Sequence, residues 1–370
     1  MYQIQNDKIS VLFVKSKIKP DFKEDFFSEF EKIKFALTND KWLKYITFAF
    51  LIFLAGTLIF TYVMPANDED AFSYHIARLP FWYAAKNLAH FECADIRNLI
   101  MPINSEIFCF WAFSFVKSSI FVRFLSLFSY ILFVAGLRGF LREINIPVSI
   151  SLWVIFTVTA MQNVMFSISG TETNITIAAL MLSAVYLFTA AVKNNNNKTN
   201  LFFSALLYAL AIGVKTPSLQ AAPALLLIAA SVAFVYQKKN FYKPLLICSA
   251  FIFINFVLFA SYNYILNFIE FGNPFTSPSG AEMHRFYGGF KGFIANIVKY
   301  LGTFIDFSGF PLAVNIWRIK IGIMSLILAL FGIPFDIGTI TSETKFFNLG
   351  NNFENMCGLG VLGFLVFLPS

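Results

Sequence analysis

Long uncharged apolar runs alternate with short polar segments along this chain, and the runs have the length of membrane spans. Tyr45 to Asn67 holds 23 residues without a charge, which as a helix extends about 35 Å against a hydrocarbon core of about 30 Å. A polar island, Met64 to Glu106, follows it. Further runs are predicted from about Ser118 to Leu137, from Ile144 to Thr171, and onward to Val192. A fifth, shorter run starts at Thr199 and stops at Lys215-Thr-Pro-Ser218. The sixth returns to Lys238, Lys239 and Lys243, and the seventh covers about Leu245 to Leu266. Beyond Asn267 the pattern turns irregular, with Gly-Asn-Pro and Pro-Ser-Gly turn chemistry. Ile321 to Phe335 is apolar but only 15 residues long, a length that more often packs or lies in the interface than spans. A last apolar run, Met356 to Pro369, is expected to be the truncated start of an eighth helix.

Composition agrees with this pattern. Hydrophobic residues make up 58% and charged residues 13%, where a soluble domain carries about 25% charged residues. The mean hydropathy is +0.68. The formal charge of +7 is no sign of a nucleic-acid partner, because the cations gather where inner loops should lie. Nine lysines precede Tyr45, and 16 of the 28 Lys and Arg fall at the inner ends of the runs. The N-terminus is therefore expected in the cytoplasm and the Asp68 region outside. The first apolar run starts too far from Met1 for a cleaved signal, so it reads as an anchor. Four scattered cysteines form no CxxC pattern; Cys93 and Cys109 are better read as free thiols than as a disulfide. Walker A, dinucleotide-binding and HExxH motifs are absent.

The candidate chemistry lies in the polar island. Asp68, Glu69 and Asp70 follow the first run directly, and Asp70, Tyr74 and Arg78 recur at steps of four with His75 beside them. On a helix those three share a face. A carboxylate, an imidazole and a guanidinium at a membrane edge suit acid/base work and anion binding. The plainer alternative is an acidic first turn on an interfacial amphipathic helix. Lys215 is the only charge between Lys198 and Lys238, at an outer edge beside Pro217. A charge so placed points to function, with snorkelling as the competing reading. Glu106 either caps a helix or lines the site, and His284 and Arg285 are weaker candidates.

Five short motifs carry a family resemblance. They are Asp70-Ala-Phe-Ser-Tyr-His-Ile-Ala-Arg78 followed by Trp82, then Asp95-Ile-Arg97 with Pro102-Ile-Asn-Ser-Glu106. Ser169-Gly-Thr-Glu-Thr-Asn174, with Asn174 where an Asp is usual, Gly213-Val-Lys-Thr216 and Phe271-Gly-Asn-Pro274 complete the set. In this order the chain, over roughly Leu51 to Ser370, resembles the bacterial GT-C membrane glycosyltransferases related to protein O-mannosyltransferases and lipid A aminoarabinose transferases. The implied fold is an all-α polytopic membrane protein, GT-C-like, with about seven full transmembrane helices plus a partial eighth and outer loops carrying amphipathic helices. Its segments would be a cytoplasmic 1–44, a bundle at 45–266 with the first outer loop at 65–106, an outer region at 267–355, and 356–370.

The resemblance implies an inverting transfer of sugar from a polyprenyl-phosphate donor to a lipid, glycan or protein acceptor, on the periplasmic face of the bacterial inner membrane. Asp70 matches the family's base, with Asp68 and Glu69 as near alternatives and His75 as a second proton carrier. Lys215, Arg78 and Arg97 would hold the donor phosphate, and Glu69, Tyr74, Glu106 and Glu172 would line the site. The adjacent acids could instead hold a divalent cation, Mg or Mn, as in some family members. The competing readings are a transporter or flippase of a lipid-linked glycan, and an inactive truncated relative. A transporter should show paired broken helices or related halves, and the sequence displays neither.

Overall fold

The computed structural model describes residues 22–63, 70–117, 120–159, 173–283, 288–303 and 313–335, with single positions between 161 and 171. Among these every regular element is a helix, without strands. The helices in order are α1 (Phe22–Asn39), α2 (Lys41–Val63), α3 (Arg78–Ala85), α4 (Arg97–Ile100), α5 (Asn104–Val116) and α6 (Ile120–Glu143). They continue as α7 (Val148–Thr159), α8 (Asn174–Lys193), α9 (Lys198–Val214), α10 (Pro217–Gln220), α11 (Ala222–Gln237) and α12 (Tyr242–Phe259). The last four are α13 (Tyr262–Phe271), α14 (Pro278–Met283), α15 (Gly289–Thr303) and α16 (Ala313–Leu330).

Four of them, α2, α6, α8 and α12, are long and apolar enough to cross a membrane. By length and composition these four helices are compatible with a helical membrane protein. The places expected of the third, fifth and sixth spans hold shorter helices of 12, 17 and 16 residues, α7, α9 and α11. The last apolar run, Met356 to Pro369, lies outside the described residues.

The centre of the bundle is the row α6–α8–α9–α12, each helix packed on the next. Small residues allow the close approach, as is usual where lipid gives helices no hydrophobic reason to associate. A Cβ on Gly136 of α6 would stand 2.8 Å from Ser183 Oγ of α8, and one on Gly139 would meet the Tyr186 ring at 3.0 Å. On the α8–α9 side, Ala184, Ala191, Ala205 and Ala209 are buried, and Ser204 Oγ donates to the Ala184 carbonyl at 2.8 Å. The faces of α2 turned away from the bundle expose Phe48, Leu51, Ile52, Ile59 and Val63, which fits a lipid neighbour better than water.

Side-chain contacts show which helix ends lie together. At the lysine-rich end Lys193 Nζ is 3.1 Å from Glu143 Oε2, and Gln237 Nε2 donates to the Val192 carbonyl at 2.8 Å. α1 is tied to the same end: Glu29 pairs with Arg138, and Trp153 Nε1 donates to Asp40 Oδ2 at 3.3 Å. The opposite end holds the polar island, the start of α8, the end of α9 and the end of α12. α15 and α16 pack together around Ala295, Leu328 and Ile333.

Candidate functional site

The polar island folds into a compact knot at this second end. Its first turn is not α-helical. Ala71–His75 is π-helical, closed by the Ile76 amide on the Ala71 carbonyl at 2.8 Å, and α3 begins only at Arg78. Such turns are rare and frequent at functional sites. Asp70, Tyr74 and Arg78 nevertheless share a side. The Tyr74 hydroxyl donates to Asp70 Oδ2 at 3.0 Å, and the Arg78 guanidinium sits 5.6 Å from the Tyr74 ring centre. Burial and the Asp70 carboxylate push the Tyr74 phenol far above its ordinary range, so it acts as a donor.

Arg97 organises the half-open rim of the knot. Its Nη1 lies 3.2 Å from Asp70 Oδ1 and its Nη2 2.9 Å from Asp95 Oδ2, while its guanidinium carbon stands 5.5 Å from the Tyr74 ring centre. Asp95 also accepts the Arg97 backbone N–H at 2.9 Å, a local turn that starts α4. Burial alone would raise the Asp95 carboxyl, but the Arg97 hydrogen bonds hold it below the usual carboxylate range. The same hydrogen bonds raise Arg97.

Arg78, expected to hold donor phosphate, is fully buried. Its Nη2 donates to the Arg97 carbonyl at 2.7 Å and its Nη1 to the Pro102 carbonyl at 3.4 Å. It therefore stitches the chain across the knot, and burial lowers its pKa. Beside it lies the buried pair His75 Nδ1 and Glu106, with Ser105 Oγ donating to Glu106 Oε2 at 2.6 Å. Burial would raise the Glu106 carboxyl, but His75, Arg78 and Ser105 together bring it below its ordinary value.

The three later motifs converge on the same end. Lys215 Nζ donates to Asn174 Oδ1 at 3.0 Å, which joins the Gly-x-Lys motif to the start of α8. Gly213 is required by close approach, since a Cβ there would fall 2.1 Å from Asn104 Nδ2. That amide donates to the Phe259 carbonyl at 2.9 Å and so ties α5 to the end of α12. The Phe271-Gly-Asn-Pro274 turn works through Gly272, whose φ of +68° ends α13 in the left-handed region. Ile212 and Leu219, flanking Lys215, line an apolar cavity of about 660 Å³ together with Phe256, Tyr264, Phe268 and Phe275.

Several contributors escaped the sequence reading. Asn263 Nδ2 reaches the carbonyls of Leu99, Ile100 and Met101 at 3.0, 3.3 and 3.1 Å, and Asn267 Nδ2 reaches those of Ile100 and Pro274 at 3.0 and 3.2 Å. Two amides four residues apart in an otherwise mostly apolar segment are the signal that was there to be read. His90 pairs with Glu270 and stacks on Phe271. Trp82 is a core residue with Leu79, Ile103, Cys109 and Val122. Cys93, Cys109 and Cys248 are free thiols.

Asp68, Glu69, Glu172, His284 and Arg285 lie outside the described residues. Among the described residues no three His, Cys, Asp or Glu side chains gather as metal ligands. Asp70 and Asp95 both face Arg97; Asp68 and Glu69, the other acids of the run read as a possible Mg or Mn site, are outside the described residues.

Comparison with known proteins gives no match: no family model, no curated protein and no solved structure matches this chain.

Proposed function

We propose that this protein is a GT-C-like inverting glycosyltransferase of the bacterial inner membrane, using a polyprenyl-phosphate-linked sugar at its periplasmic end. The observation that carries this reading is the position of Lys215, a half-buried cation between two residues that line a large apolar cavity. An ammonium suits a lipid phosphate, and an apolar cavity suits the isoprenoid units next to it. The half-exposed Asp70 carboxylate, held by Tyr74 and Arg97, belongs to the same end of the bundle.

In this reading the acceptor hydroxyl attacks the anomeric carbon while Asp70 takes its proton. The bond to the carrier phosphate breaks with inversion, and the phosphate leaves with the bonding electrons. Lys215, with Arg97 contributing, stabilises that developing charge in a partly dry site. Arg78 supports the site from within. In this reading the shorter helices α7, α9 and α11 are the remaining three of seven spans. The excess of lysine and arginine at the α1 end supports a cytoplasmic N-terminus.

Binding of polyprenyl phosphate to purified protein in detergent tests the reading. Lys215→Met should weaken it by at least about tenfold, the worth of roughly 1.4 kcal/mol. Lys215→Arg should weaken it less, because it keeps the charge and changes only the geometry. Equal affinity in wild type and Lys215→Met would overturn the phosphate role.

A further inference from the structure

Behind the polar knot lies a void of about 10 Å³, walled by His75, Glu106, Cys109, Ser126, Thr171 and Thr173 among others. Two buried polar atoms in its lining residues have no hydrogen-bond partner: His75 Nε2 and Thr173 Oγ1. Their residues are 5% and 2% exposed. Other polar groups around the void are engaged, with Ser126 Oγ donating to the Gly170 carbonyl at 3.0 Å and Ser105 Oγ bonded to Glu106. Buried polar groups are almost always paired with protein or with ordered water. A cavity of about 10–15 Å³ accepts one water, provided it offers two to four polar partners.

We infer that this void binds a single ordered water that bridges His75 Nε2 and Thr173 Oγ1, with the Ser126 hydroxyl oxygen free to accept as a third partner. The size excludes any larger ligand. A metal ion is disfavoured, because the Glu106 oxygens are already taken by His75 and Ser105. The result is a continuous chain, Glu106–His75–water–Thr173, which links the polar island to the segment that begins α8. His75 is then a positioning residue, held at both ring nitrogens and walled off from any substrate. Through Thr173 the same chain fixes the register of Asn174, the hydrogen-bond partner of Lys215. This inference is independent of the glycosyl-transfer reading, since it rests only on burial and hydrogen bonding.

Two measurements test it. A high-resolution experimental structure of the full chain in lipid nanodiscs should show a density peak within about 2.7–3.2 Å of both atoms. A dry void, or His75 Nε2 bonded directly to a protein group, would overturn the inference. Separately, ¹⁵N NMR of histidine-labelled protein reads the state of Nε2, with His75 assigned by the signal lost in His75→Gln. Thr173→Val should shift the His75 Nε2 resonance and Thr173→Ser should restore it. An unchanged resonance in folded Thr173→Val would contradict the bridge, and if that variant does not fold the wild-type density decides alone.

Discussion

Arg97 Nη1 stands 3.2 Å from Asp70 Oδ1, although 26 residues separate them in sequence. The contact aims the one half-exposed carboxylate of the π-turn and is shared with Asp95, so Asp70 is positioned by a guanidinium that also needs a second acid. Tyr74 closes the arrangement from the other carboxylate oxygen.

If Asp70 is the base, Asp70→Asn should lower sugar transfer by about 100- to 10,000-fold, since the amide keeps the size and cannot take a proton. Membrane insertion and the fold should persist. Transfer from a polyprenyl-phosphate-sugar donor, measured beside a folding control, checks this. Near-normal turnover would remove Asp70 from the base role.

Gly213→Ala should destabilise the protein. The new Cβ would meet Asn104 Nδ2 at 2.1 Å and Ala260 Cβ at 3.0 Å, which displaces the amide from the Phe259 carbonyl. Overpacking costs about 1–3 kcal/mol, against a helix-propensity gain of about 1 kcal/mol. Unfolding in detergent should show a net loss, and a more stable variant would contradict the close packing.

Acid sensitivity should depend on Glu106. Its folded pKa lies below its ordinary value, so its contribution is complete above the unfolded carboxyl value of about 4.3. It is lost as pH falls through the folded pKa, because the unfolded state takes up the proton first. Asp95, also depressed, acts in the same direction. Unfolding followed from pH 6 downward should therefore show a shallower acid limb for Glu106→Gln than for wild type. Parallel curves would mean that the pair with His75 adds no pH-dependent stability.

The proposed orientation predicts opposite labelling at two exposed positions. In a variant without the native cysteines, Ala89→Cys should react with an impermeant thiol reagent in intact cells, and Lys198→Cys only after lysis. The reverse pattern would invert the bundle.

The sequence by itself determined the helical class and its span-length apolar helices, because apolar runs of that length have few other stable outcomes. Two of its geometric expectations also hold: Asp70, Tyr74 and Arg78 share a side, and Lys215 sits where α9 ends. What it left open was how the charges are partitioned between rim and interior. Arg78 and Arg97 look alike in a sequence of apolar runs, yet one is buried on carbonyls and the other faces two carboxylates. The π-turn, the clamp of Asn263 and Asn267, and the need for glycine at position 213 were likewise decided in three dimensions. Periodicity records which face of a helix is apolar. Which polar groups on that helix find partners depends on segments brought together from more than a hundred residues away, and only the packed bundle supplies them.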